Sequence, residues 1–240
     1  FKKATPLSTV NAGIRIDENI FNKSSFSSTD VHEATLLSKR NQRWQVGLKQ
    51  NVDYDTTNNS EIANFGLPAI VTRHTGFSLA PNVSFKPSDS DTLALALTGS
   101  ASLYDSTIFT DYRTIAADLS YSRQFNPLNT GVISVQAQQY KTTRNNAVSV
   151  DSWSPTVGWQ RTISPRLAAN VSLGAQASRQ YNYGVPATPW EWQYVFTGGL
   201  SFKGDQDTLD VSISRSQVPY GNGTDALQTY FSLRESHDLT

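Results

Sequence analysis

Few residues in this chain could carry acid–base or nucleophilic chemistry. There are three histidines, His32, His74 and His237, set among abundant Ser and Asp, and there is no Cys. A hydrolytic site would need a nucleophile, a base and an orienting group gathered at one place, or paired carboxylates beside a histidine. His32 and His74 fall in long polar connecting segments, which leaves two readings, a loop-borne acid–base site or histidines that are simply solvated. No G-x-S-x-G, phosphate-binding G-x-x-x-x-G-K-[ST] or G-x-G-x-x-G occurs, and there is no helical His/Glu pair for zinc. Asp30, Glu33, Asp105 and Asp111 are acidic residues of connecting segments whose spacing is unlike an EF-hand loop. Five N-x-[ST] matches, at Asn22, Asn58, Asn82, Asn170 and Asn222, carry little meaning in a chain so rich in Ser and Asn. The expectation is a protein that is not an enzyme and uses no metal or cofactor.

The charges say more about surroundings than about catalysis. Twenty Lys and Arg balance twenty Asp and Glu, so there is no basic field of the kind that nucleic-acid binding requires. Absence of Cys excludes disulfides and thiolate metal sites, and it suits a chain exported through an oxidising compartment. The chain opens at Phe1 with no signal peptide in view, which fits a mature product after signal cleavage or an arbitrary boundary.

The elements that must position these residues are announced by a period of two. From Trp190 to Phe202 the aromatic and apolar residues Trp190, Trp192, Tyr194, Phe196, Leu200 and Phe202 alternate with Glu191, Gln193, Thr197 and Ser201. Ile115, Ala117, Leu119 and Tyr121 alternate in the same way with Thr114, Asp118, Ser120 and Ser122. So do Leu167, Ala169, Val171 and Leu173 with Asn170, Ser172 and Gly174. About a dozen such stretches occur, each a strand with one apolar and one polar face. No run approaches the roughly 18 to 20 apolar residues of a membrane helix.

Short connectors, near 39–42, 87–91, 126–129, 164–166 and 204–207, alternate strictly with longer polar ones near 22–33, 55–75, 105–111, 143–148, 182–189 and 218–225. That regularity belongs to an up-and-down antiparallel β-barrel that crosses a membrane, with tight periplasmic turns and long outer loops. Strands of roughly 12 residues are longer than soluble sheets need and long enough for a tilted strand to span a bilayer. The fold expected is therefore all-β, a transmembrane barrel of about 12 strands in one domain over 1–240, either closing by itself or forming part of a 14–16-stranded barrel cut short at its C-terminal end.

Side-chain assignments follow from that frame. Trp44, Phe85, Phe125, Trp159 and Phe202 lie close to short turns, and Tyr54, Trp153, Tyr181, Trp190 and Trp192 close to long loops, as membrane girdles would. Arg15, Asp17, Lys49, Asp53, Asp118, Lys141, Glu191, Asp210 and Arg234 are expected to line the lumen. Arg215 shares its parity with Leu209, Val211 and Ile213, so it belongs near the outer rim, where an outward-facing Arg costs little. Two stretches resist the scheme. Val31 to Ser38 alternates weakly, and Ile62 to Val71 reads as an inward-folded loop or a short irregular strand.

Several segments resemble the β-barrel porins associated with exopolysaccharide operons of Gram-negative bacteria. They are Val10 to Phe21 (VNAGIRIDENIF), Ala117 to Phe125 (ADLSYSRQF), Thr162 to Leu167 (TISPRL), and the stretch from Phe202 through Ser214-Arg-Ser216 and Gly221-Asn-Gly-Thr224 to Thr240. The resemblance spans most of the chain, although its motifs are generic to barrel hairpins. It implies an outer-membrane location and a part in polysaccharide secretion, with outer-membrane lipid, polysaccharide and periplasmic secretion proteins as partners and no catalytic residue. One departure is that the chain stops after Arg234 to Thr240, where the group continues into further hairpins.

Two functions remain in view. One is a channel for polysaccharide or other polar solutes, whose mixed lumen charges suit neutral sugars better than ions of one sign. The other is a closed structural or adhesion barrel that binds a partner or surface through loops such as the aromatic, Pro-rich Tyr181 to Trp190.

Overall fold

A computed structural model describes residues 2–5, 7–20, 28–56, 72–106, 109–143, 148–182, 184–219 and 225–237. The strands are β1 (Lys2–Ala4), β2 (Ser8–Asn19), β3 (Ser28–Arg40), β4 (Trp44–Thr56), β5 (Arg73–Phe85), β6 (Asp91–Tyr104) and β7 (Tyr112–Asn126). They continue with β8 (Asn129–Thr142), β9 (Val148–Ser164), β10 (Leu167–Asn182), β11 (Glu191–Lys203), β12 (Asp207–Pro219) and β13 (Asp225–His237). All 13 form one antiparallel sheet in which spatial order equals chain order. Among the described residues β1 and β13 are its two edges.

Twelve strands are long, as the alternation predicts, and β1 is a three-residue addition. The short connectors fall where expected, and their side chains explain why. Pro127 and Pro165 each supply the fixed φ of a tight turn, while the residue before accepts a backbone N–H two positions on. Leu128 N donates to Asn126 Oδ1 at 3.0 Å, and Arg166 N to Ser164 Oγ at 3.2 Å. Asn41 takes the same role for Arg43 and Trp44. On the opposite side Gly184 adopts φ 76°, a conformation that costs glycine nothing. Beyond it Thr188 returns to bond Gln180.

Register sorts the side chains into two faces. Leu95, Leu119, Val135 and Pro155 run across β6 to β9 in one row, and Leu173 and Phe196 extend the same face on β10 and β11. Asp118, Gln136 and Ser154 run across the other face. The apolar face is the exposed one: Ile115, Leu173 and Phe231 are 60%, 64% and 63% accessible. Such a sheet has no dry centre of its own, and its apolar surface needs lipid as a partner.

The weakly alternating stretch from Val31 to Ser38 is strand, and β3 begins at Ser28, so Asp30, His32 and Glu33 belong to a strand and not to a loop. Its register comes from its neighbours, not from its own pattern. Glu33 stands on the apolar face between Ile14 and Val52, where it accepts a hydrogen bond from Thr35 Oγ1 at 3.1 Å. The stretch from Ile62 to Val71 lies outside the described residues.

Pro81 and Pro155 sit inside strands, where a missing N–H breaks a ladder. Each keeps its pairing on one side, with Leu48 and Val135 respectively, while the pairing on the other side is interrupted. Beside the second interruption Gly174 passes so close to β9 that a Cβ there would lie 2.3 Å from the Pro155 carbonyl oxygen. Backbone cannot yield as a side chain can, so Gly174→Ala is expected to destabilise by about 1–3 kcal/mol, the usual cost of overpacking. Gly13→Ala, with nothing within 4 Å, is expected to be neutral. Urea unfolding of the lipid-reconstituted protein, followed by tryptophan fluorescence, checks the difference.

Candidate functional site: the polar face of the sheet

The polar face carries most of the ionisable residues singled out in the sequence. Arg15, Asp17, Lys49, Asp53, Asp118, Glu191, Asp210 and Arg234 all stand on it. Lys141 does not, and the lumen assignment for it is corrected. It pairs with Arg113 and Ser149 in the outward row that contains Ile133, Val135 and Ala137, whereas Tyr140 occupies the polar face. At the end of β8 the hydropathy order inverts, an aromatic turning inward and a lysine outward, so hydropathy past Gln138 and Gln139 misleads, whereas parity counted from Val135 and Ala137 places Lys141 outward.

The girdle residues Trp44, Tyr54, Phe85, Trp159, Trp192 and Phe202 stand on the apolar face opposite one another or aliphatic neighbours, and Tyr181 stands on it opposite Ser149. Trp44 and Phe85 have ring centroids 4.5 Å apart, and Phe125 stacks on Trp159 at 5.3 Å. At the long-loop end Trp153 meets Trp192 edge-on, and Arg179 lies over both Tyr181 and Trp190. Arg215 is outward-facing, as its parity predicts, with its guanidinium 4.2 Å from the Tyr194 ring centroid.

Two histidines organise the polar face. His32 of β3 lies between carboxylates of both neighbouring strands, with Nδ1 2.8 Å from Asp53 Oδ1 and Nε2 3.7 Å from Asp17 Oδ2. Arg15 Nε donates to the same Asp17 oxygen at 2.7 Å. One step toward the long loops, His74 Nδ1 meets Asp55 Oδ1 at 2.9 Å, and both residues are buried. Asp30, 1% exposed, accepts from Asn19 Nδ2 at 2.8 Å and faces Arg73 Nη1 at 3.5 Å. The reading of His32 and His74 as solvated loop histidines is therefore corrected. Both are strand residues held by carboxylates across the ladder, and the pairings followed only once β3 and β5 had boundaries.

An aromatic series continues from His74 around the same face. His74 lies 5.0 Å from Tyr104, Tyr104 stacks on Phe109 at 5.2 Å, and Tyr112 lies 5.3 Å from Tyr140. Phe109 belongs to the β6–β7 connection, so part of an outer loop packs against the polar face. Tyr104, Tyr140, Thr142, Val150, Ser178 and Val195 are all buried. Toward the short turns the same face is open, with Lys49, Gln160, Asn170 and Asp210 exposed. The polar face is thus packed at one end and accessible at the other. No group of three or more His, Asp or Glu able to hold a metal ion occurs among the described residues.

No protein-family model and no curated protein matches the sequence. Solved structures do match in shape. The siderophore receptor PirA from Pseudomonas aeruginosa superposes with TM-score 0.56 at 9% identity, over 97% of this chain and 42% of that one. The ferric-catecholate import receptor Fiu from E. coli K12 gives 0.54 at 7% identity over 91% and 52%. The ferric preacinetobactin receptor BauA from Acinetobacter baumannii gives 0.53 at 11% identity over 97% and 50%. This chain spans about half the length of these receptors. At such identity the likeness is one of fold, and the fold is the outer-membrane β-barrel. With its apolar face outward, the chain is an outer-membrane protein.

Removing one member of the buried Asp55–His74 pair strands the other without its hydrogen bond, at a cost of about 1–3 kcal/mol. His74→Ala is expected to lower the thermal midpoint of the reconstituted protein. His237→Ala, which breaks the exposed contact with Asp207, is expected to leave it unmoved. Circular dichroism melts of the two variants provide the comparison.

Proposed function

We propose that this barrel is a passive channel whose polar face lines an aqueous path for polar solutes, with polysaccharide as the class it carries. The observation behind the reading is the composition of that face. It consists mainly of Ser, Thr, Asn and Gln with ionisable residues of both signs, several of them paired. Arg15 with Asp17 is a charge pair, and His32 and His74 tie Asp53 and Asp55 by hydrogen bonds, so charges of both signs sit in local clusters and not in a ring of one sign. Neutral sugars exchange hydrogen bonds with such a wall at small cost. The resemblance of the Val10 to Phe21 strand and the hairpin segments to porins of exopolysaccharide operons supports the same substrate class and periplasmic secretion partners. In this reading residues 1–240 act as one barrel unit, the polar-row charges line the pore, the aromatic rows anchor the barrel in lipid, and no catalytic step is assigned.

A second reading is favoured by one feature, the packed long-loop end of the polar face around Asp55, His74, Tyr104 and Tyr140. A barrel closed there would be a scaffold for its loops, binding a partner or surface through the Tyr181 to Trp190 segment.

Planar-bilayer recording separates the two. The channel reading expects stepwise conductance with weak ion preference that is blocked by neutral oligosaccharides. Asp17→Asn combined with Asp53→Asn should leave Arg15 unbalanced and move the reversal potential toward anions. Silence in the bilayer, together with loss of surface attachment on deleting 183–189, would establish the scaffold instead.

A further inference from the structure

The outward face contains an arrangement that neither a pore nor a scaffold needs. Arg113 of β7 and Lys141 of β8 are direct cross-strand partners on that face. Facing positions in an antiparallel pair place Cβ atoms roughly 4.5–5.5 Å apart, and two like charges there destabilise the sheet. Among the described residues neither side chain has a hydrogen bond or ion pair. Both lie at the long-loop end, where the apolar rows Leu119–Ala117–Ile115 and Val135–Ala137 give way to polar residues. Two nearby outward cations are already engaged, Arg179 with Trp190, Tyr181 and Asp151, and Arg215 with Tyr194.

Directly membrane-ward of the pair the outward surface is hollowed. Ala117 and Ala137 face one another across β7 and β8 with Gly99 diagonal to Ala117 on β6, walled by Leu79, Leu97 and Ile115 and bordered on the β9 side by Gln139, which donates to Asp151. The result is an open apolar groove of about 540 Å³. Ile115 is the next outward residue after Arg113, so groove and cations form one continuous surface.

We propose that this surface binds a phosphorylated glycolipid of the outer leaflet, with a headgroup phosphate between Arg113 and Lys141 and an acyl chain in the groove below. Charge complementarity selects the occupant. Long loops face outward, so the pair sits at the headgroup level of the outer leaflet. A dianionic phosphate monoester neutralises two facing cations and accepts hydrogen bonds from both. An open apolar groove beside those cations suits an amphiphile better than a soluble anion. The site is on the lipid side of the wall, so it stands whether or not the pore conducts.

Native mass spectrometry of the full chain in detergent tests the proposal, with diphosphoryl lipid A, phosphatidylglycerol and inorganic phosphate as probes. Diphosphoryl lipid A is expected to be retained as a single adduct in preference to phosphatidylglycerol. Arg113→Gln with Lys141→Gln should weaken retention about tenfold or more, because the phosphate loses both of its charged hydrogen-bond donors. Arg113→Lys should preserve much of it. Ala117→Phe, which fills the groove from the lipid side, should also release lipid A. Asp91→Asn with Arg123→Gln alters an outward charged pair at the opposite rim and should not. Heat-dependent gel mobility identifies variants that have folded. Undiminished retention in the folded double variant overturns the site. Equal retention of phosphatidylglycerol overturns its specificity, and displacement by inorganic phosphate with no effect of Ala117→Phe makes it a soluble-anion site instead.

Discussion

The structure depends on one requirement, that every backbone N–H and C=O inside a bilayer be bonded within the protein. A meander of long antiparallel strands meets it for every strand between the edges β1 and β13 by pairing each with the next, and the consequence is visible in where the apolar residues went. Leu173, Ile115 and Phe231 are not gathered into a core. They stand on the outside of a single sheet, which is a stable arrangement only where hydrocarbon replaces the second layer that a soluble sheet would need.

The other face solves the complementary problem of placing polar side chains where they can be satisfied. Hydroxyls and amides bond across the ladder, as Asn51 does to Ser78 and Ser134 to Thr156, and the ionisable residues are held in pairs and short chains. His32 acts there as a connector between carboxylates on adjacent strands, and His74 ties Asp55 to the aromatic series. Packing is uneven along the strands. A belt of buried Tyr, Thr and Asp at the long-loop end gives way to exposed Asn, Gln and Lys toward the short turns.

The outward face also changes along its length. Aromatic rings mark both ends, and cations accumulate at the long-loop end, where Arg73, Arg113, Lys141, Arg179 and Arg215 share the outward rows. Most are partnered by rings or carboxylates. The Arg113–Lys141 pair stands apart from them because two unpartnered like charges lie directly opposite one another above an apolar hollow.

Much of this was legible in the residue order. Strict alternation in Trp190 to Phe202 and Leu167 to Ser178 assigns faces because a period of two is a geometric property of any strand. Asn126-Pro-Leu-Asn129 and Ser164-Pro-Arg-Leu167 specify their turns through local bonds, so the short connectors, the twelve long strands and the two-faced sheet needed no tertiary information. The third dimension decided what depends on neighbours. β3 is a strand because β2 and β4 hold it, despite Glu33 on its apolar face. Lys141 turned outward and Tyr140 inward because the ladder, not hydropathy, sets parity at a strand end. The pairing of His32 with Asp53 and of His74 with Asp55 joins residues about twenty positions apart, and the opposition of Arg113 and Lys141 exists only through register. Alternation is a local property of the backbone and is written in the sequence. Which residue faces which across a ladder is fixed only when the strands lie side by side.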